Sequence, residues 1–264
     1  MKRISIVLLF LLISLIPVSC NKTGYIFSNG EPITQDRCLN EPFSAVRMYD
    51  NVNVELIRSS DPHIELTCPR NLIDRITTSV EGNALIIKNE NKYNWLRSFD
   101  YECNMKVFYD SIKEIEFASI GHLTAKDSLR GIIVFDTLKD TSGNDSVIIK
   151  NRTLFLEITE GSGDIDLTIN CNILQTQLSN GTSKITLKGE AGYAEHLLRS
   201  YGRLDAKELN SNIITIQSNT TNDAYIWART RLTVEIGSIG NVYYKGDPDT
   251  IKIIHGDGQV LPIE

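Results

Sequence analysis

The chain has 264 residues, a formal charge of −6 with histidine neutral, 41% hydrophobic and 23% charged side chains. Those values are ordinary for a chain that packs a core, and they exclude collagen, a long disordered tail and a multi-pass membrane protein. With 33 acidic against 27 basic residues there is no general electrostatic footprint for nucleic acid.

The first segment reads as an address. Met1-Lys2-Arg3 is basic, Ile4 to Ile16 is apolar except for Ser5 and Ser14, and Pro17-Val18-Ser19 precede Cys20. A basic start, a short apolar run and small residues before a cleavage point describe a secretory signal. The run is short for a membrane-spanning helix. Val18-Ser19-Cys20 resembles a bacterial lipobox, with Pro17 where a leucine is usual. That resemblance implies a lipoprotein signal peptide over 1–19, a lipidated Cys20 and attachment to the membrane through several acyl chains, enough for stable anchoring. A plain secreted protein cut near Ser19 is the alternative. Asn21-Lys22-Thr23-Gly24 lacks the acidic run that resembles a surface-export tag, which points to the outer membrane facing the periplasm. Residues 20–42 read as a tether.

Cys38, Cys68, Cys103 and Cys171 remain. An oxidising envelope permits disulfides, and four cysteines allow three pairings. Without a C-x-x-C they match no zinc pattern. Cys68 and Cys171 continue the alternating runs Ile64-Leu66-Cys68 and Ile165-Leu167-Ile169-Cys171, which predicts buried apolar thiols rather than bridge partners.

From Val52 onward apolar residues recur with period two, the mark of half-buried strands. Val52-Val54-Leu56, Ile64-Leu66 and Met105-Val107-Tyr109 all fit. The nearest approach to a helix is Asn71 to Thr77. Seven residues is marginal for a helix, and Thr77, Thr78 and Val80 favour a strand. Val80 to Ile87 reads as strand, Gly82-Asn83 turn, strand.

The second half repeats. Leu156 and Ile158 lead to Gly161-Ser162-Gly163-Asp164, then to Ile165, Leu167 and Ile169; further turns carry Gly181, Gly202, Asn222 and Gly240. Ser119-Ile120-Gly121 and Ser142-Gly143-Asn144 extend the series upstream. The step is about 20 residues, and a period of that size built of strands and small polar corners predicts an all-β solenoid. One coil cannot bury its inner face alone; stacked coils share a continuous core. The corner glycines read as positions of left-handed or cramped backbone. A two-sheet sandwich with regular hairpins is the competing fold.

Phe43-Ser44-Ala45-Val46-Arg47-Met48 followed by Asn51-Val52-Asn53-Val54-Glu55-Leu56 resembles the opening of the family called putative auto-transporter adhesin, head GIN domain. Leu72, Ile76, Val80, Gly82, Leu85 and Ile87 resemble its next segment, and Gly161-Ser162-Gly163-Asp164-Ile165 its repeated corner. The resemblance runs from Phe43 to about Val242. It implies a right-handed β-helix-like domain over 43–250, a tail or cap over 251–264, an envelope lipoprotein of Bacteroidetes type, and no catalytic residues.

The chemistry that the residues offer is sparse. His63, His122, His196 and His255 are isolated, with no metal-ligand spacing, and read as surface or loop residues. No nucleophile elbow, phosphate loop or dinucleotide fingerprint occurs. No metal or cofactor is expected. Glu157, Glu160, Asp164 and Asp166 gather around one corner. Paired carboxylates can cleave glycosidic bonds or hold Ca²⁺, but Asp164 and Asp166 alternate with Ile165 and Leu167, as outward solvated positions do. Tyr93, Trp95, Phe99 and Tyr101 surround Arg97, and Tyr225 and Trp227 alternate outward with Tyr243 nearby. Tyr93, Trp95, Tyr225 and Trp227 are therefore the candidate binding face, suited to a sugar ring or a protein partner. The expectation is a non-catalytic envelope adhesin or binding module for a glycan or protein ligand. The alternatives are a polysaccharide-active β-helix enzyme using the corner carboxylates, and a purely structural envelope protein.

Overall fold

The computed structural model describes residues 28–92, 101–139 and 146–263, with side chains except over 132–151. The signal segment, Cys20, Tyr93, Trp95, Arg97, Phe99 and the Ser142-Gly143-Asn144 turn lie outside the described residues.

The described chain is all-β. Its strands are β1 (Pro32–Cys38), β2 (Ala45–Asp50), β3 (Asn53–Arg58), β4 (His63–Pro69), β5 (Ile76–Glu81), β6 (Ala84–Asn89), β7 (Asn104–Tyr109), β8 (Glu114–Ser119) and β9 (Leu123–Ala125). There follow β10 (Ile132–Lys139), β11 (Ser146–Ile158), β12 (Ile165–Leu178), β13 (Lys184–Leu198), β14 (Arg203–Ser218), β15 (Ala224–Ile236), β16 (Val242–Lys245), β17 (Asp249–Ile254) and β18 (Val260–Pro262). All eighteen join one hydrogen-bonded sheet. The Asn71–Thr77 segment gives a single 3-10 turn over Ile73–Arg75 and then enters β5. β5 and β6 form the expected hairpin: Glu81 pairs with Ala84, and Gly82 takes φ +65° at the first turn position, where a side chain would be strained.

β12 to β15 each run far enough to serve two parallel ladders. In the first ladder Ile165 pairs with Leu123 on one side and Ile185 on the other, Ile185 with Leu204, and Ala224 with Val242 and then Val260. In the second, Ile115, Leu156, Thr176, His196, Ile216 and Val234 follow one another in register. Paired residues lie about one repeat apart in sequence, as Ile165 and Ile185 do, so successive passes of chain lie on one another. Ile165, Ile185 and Leu204 are fully buried, as are Ile115, Ile216 and Val234. Each such aliphatic side chain stabilises the fold by roughly 1.5–3 kcal/mol relative to exposure, and none of it is available to a single pass.

Two expectations about the repeat need correction. Of the corner glycines only Gly181 is left-handed, at φ +97°, whereas Gly121, Gly163, Gly202 and Gly240 lack a positive φ and are cramped instead. They are required because backbones of adjacent passes touch there. A Cβ on Gly163 would sit 1.9 Å from the Gly121 carbonyl oxygen. The step between Gly121 and Gly163, whose expected Ser142-Gly143-Asn144 turn lies outside the described residues, is also not a stacked pass. β10 and β11 pair antiparallel, with Lys139 opposite Ser146, and β8 and β9 pair directly with β11 and β12. Between Gly121 and Gly163 the described strands therefore run out and back.

Upstream, stack order departs from chain order. Val46 of β2 pairs with Leu85 of β6 and Ile115 of β8; Val54 of β3 pairs with Met105 of β7 and Leu123 of β9. The first pass is thus enclosed by two later ones, and antiparallel β1 and β4 continue the sheet beyond β7. Thr67 pairs with Asn104 in that antiparallel region, which brings the next residue, Cys68, against Cys103 in a disulfide. Cys68 is buried as expected but is a bridge partner, because alternation reports which face a residue takes and not what lies across the sheet. Cys171 is a buried free thiol and Cys38 an exposed one.

Candidate functional site

The outer face of the second ladder carries two rows of functional side chains. Phe155, Gln175 and Glu195 are successive partners, as are Glu157, Gln177 and Leu197, two residues further along each strand. Spacing by two puts both rows on one face. Together they line an open groove of about 480 Å³, with Lys113 at its rim 5.7 Å from the Phe155 ring centre. Gln175 Nε2 donates to Glu195 Oε2 at 2.8 Å; Gln177 Nε2 donates to Ser179 Oγ at 2.8 Å and to Glu157 Oε1 at 3.4 Å. Each Gln–Glu pair holds both partners in place and leaves further acceptor positions on the carboxylates. Ordered amides and carboxylates beside an aromatic ring suit a ligand rich in hydroxyl groups. Sequence reasoning singled out only Glu157 here. The signal was present in the repeat itself, since Phe155, Gln175 and Glu195 fall one step apart at an outward parity.

Tyr225 and Trp227 are half-exposed on the outer face of the first ladder. Tyr225 pairs with Tyr243, the rings stacked 5.0 Å apart at 11°. Lys207 Nζ lies 5.9 Å from the Tyr225 ring centre and Lys245 Nζ 4.2 Å from that of Trp227. Rings stacked along the ladder spend faces on one another and on these ammonium groups, which contribute about 0.5–1 kcal/mol each when exposed. Each of these rings therefore has at least one neighbour covering part of a face. Tyr93 and Trp95, the other half of the expected face, lie outside the described residues.

The four corner carboxylates separate. Glu157 is on the outer face of the second ladder, whereas Asp166 pairs with Thr186 in the first. Among the described residues no three of His, Cys, Asp and Glu are placed to hold a metal ion. His63 stacks on Phe108 with ring centres 4.0 Å apart, and His122 and His255 are exposed. His196 corrects the surface expectation. It points inward between Thr176 and Ile216, is fully buried, and neither ring nitrogen has a partner. Burial without a counter-charge lowers its pKa to about 4, so the ring is neutral at pH 7. Burial likewise pushes the Cys171 thiol up to about 12, which leaves it unreactive.

With this geometry in hand, the chain can be set beside known proteins. The family model described as putative auto-transporter adhesin, head GIN domain, matches residues 42–248, and the chain belongs to that family. A putative adhesin from Bacteroides fragilis is similar in structure, with a TM-score of 0.73, 18% identity, and coverage of 90% of this chain and 100% of that one. A putative lipid binding protein from Parabacteroides distasonis gives 0.65 at 20% identity over 90% and 99%. A putative adhesin from Parabacteroides merdae gives 0.57 at 20% over 90% and 98%. Comparison with curated sequences found no match. Among the described residues no helix is long and apolar enough to cross a membrane.

Proposed function

We propose that this chain is a non-catalytic binding module of the cell envelope, anchored by lipid on Cys20, whose body is a right-handed β-solenoid presenting its second ladder to a glycan. The observation that carries the reading is the pair of in-register rows, Phe155-Gln175-Glu195 and Glu157-Gln177-Leu197, forming one groove across consecutive coils. The parallel register supports the solenoid, and membership of an adhesin family supports an envelope binding role. The hydrogen-bonded amides and carboxylates of the groove favour a hydroxylated ligand over an acyl chain. Glu114, Glu157 and Glu195 line the groove, and the hydrogen bonds that Gln175 and Gln177 donate to Glu195 and Glu157 hold two of these carboxylates as acceptors, which favours binding over bond cleavage.

A glycan array on the mature protein tests this. Phe155→Ala and Gln175→Ala are expected to weaken the captured glycan by about tenfold or more, the loss of one well-placed contact, while Trp227→Ala leaves binding intact. Full binding by both groove variants, with loss in Trp227→Ala, would move the site to the aromatic ladder. Sugar release from the captured glycan would reject the non-catalytic reading. Cys20→Ser is expected to release the protein from membranes; retention there would reject the lipid anchor.

A further inference from the structure

A second groove lies where the chain bends between the ladders, in the same coils. Its volume is about 320 Å³, and its walls bring together Arg152, Arg229 and the amides of Asn170, Asn172, Asn210 and Asn212. Two features bear on its ligand. First, neither guanidinium has an ion-pair partner among the described residues. Arg152 is half-buried and Arg229 exposed, and only one carboxylate, Glu190, lines the groove against the two cations. Second, Asn210 Oδ1 is enclosed without a donor, so turning this amide towards the groove breaks no protein hydrogen bond at that atom. The neighbouring amide is fixed, because Asn172 Oδ1 accepts from the Arg152 backbone N–H at 2.9 Å.

A guanidinium presents a planar fork of donors that matches two oxygens of a carboxylate or sulfate, and amides serve hydroxyls beside it. Asn172 and Gln175 are three residues apart on one strand, so the two grooves are separated by about 10 Å. We infer that the glycan taken by this protein is acidic, with carboxylate or sulfate groups seated against Arg152 and Arg229, which stand four strands apart along the groove. The inference rests on the groove reading above and adds to it the charge of the ligand.

Calorimetry separates the two. Oligogalacturonate and its fully methyl-esterified counterpart differ in the charge of the acid group and one methyl on each, and a sulfated dextran fragment of like length distinguishes sulfate from carboxylate. The native protein is expected to bind one acidic probe at least about tenfold more tightly than the neutral ester, the scale of a charge-assisted pair, with the preference shrinking as salt rises. Arg152→Gln with Arg229→Gln is expected to erase that preference and leave the ester's affinity unchanged. The exposed Arg229→Gln alone, which puts no buried group at risk, is expected to reduce it. Equal affinity for acid and ester, or a preference that survives both substitutions, overturns the acidic site while the groove reading stands. Binding of neither probe also overturns the acidic site, and the array with Phe155→Ala then decides the groove separately.

Discussion

Residues 28–131 and residues 153–262 share the same apolar–polar alternation but assemble by different rules. In the second region each pass lies on the one before it, so Ile165, Ile185 and Leu204 form a column in chain order. In the first, β2 and β3 are laid down early and then enclosed by β6 and β7 on one side and β8 and β9 on the other. The early region also contains antiparallel pairs and a disulfide, whereas the later strands are joined in parallel. A strand buried between two neighbours is the same in either scheme; the order in which neighbours arrive is what differs. The consequence is kinetic as well as structural, because pairings between distant segments form later and more slowly.

The seam between the regions is the most vulnerable point. Gly163 meets Gly121 there with no room for a Cβ, and both contacts are to backbone. Gly163→Val is expected to cost about 4 kcal/mol or more, in the tail reserved for steric failures, seen as loss of the cooperative melt. The closed end comes next. Cys68–Cys103 closes a loop with a sequence separation of 35, and Cys68→Ser is expected to lower stability by about 4 kcal/mol on a chain-entropy basis. Denaturant titration should show that change, and equal stability of the two forms would show that the early region is held by its pairing alone.

The sequential region carries a pH dependence of its own. Burial lowers the pKa of His196 from its ordinary 6.5 to about 4 in the folded chain. Below pH 6.5 the unfolded chain binds a proton that the folded chain refuses, so stability is present above 6.5 and declines as pH falls towards 4. The slope is about 1.4 kcal/mol per pH unit and the total roughly 3 kcal/mol. His196→Leu, which keeps an apolar side chain in the column, is expected to flatten that decline. The smallest effect belongs to the exposed pair Lys188–Glu208, 3.5 Å apart with both side chains at least half exposed. Lys188→Ala is expected to change stability by less than about 0.5 kcal/mol.

This contrast also explains what could be read in advance. Parity told which residues face inward, and the repeat told that Ile165, Ile185 and Leu204 share a column, since in a sequential stack the neighbour of a residue is one period away. The same logic failed between Gly121 and Gly163, where β10 and β11 pair antiparallel. It had no means of finding Cys68 opposite Cys103, which depends on an antiparallel return. The site shows the same division. Outward parity placed Tyr225 and Trp227 correctly, but the capture of their ring faces by Tyr243 and Lys245 is a matter of side-chain packing. The rows through Phe155 and Gln175 were legible in principle, had outward positions been compared one repeat apart as inward ones were. The meeting of Arg152 and Arg229 in one groove was not legible, because it depends on how the strands between them bend.

Pulsed electron–electron resonance on labels at Thr124 and Tyr225 tests the stacking most directly, with Cys38→Ser removing the exposed native thiol. In register, Thr124, Asp166, Thr186, Asp205 and Tyr225 occupy successive strands of the first ladder. Four strand spacings place the labelled backbones about 20 Å apart, although a hundred residues of chain separate them. A narrow distribution near that value is the predicted result. A principal distance beyond about 30 Å would mean that these passes do not lie on one another, and the shared outer face would be lost with them.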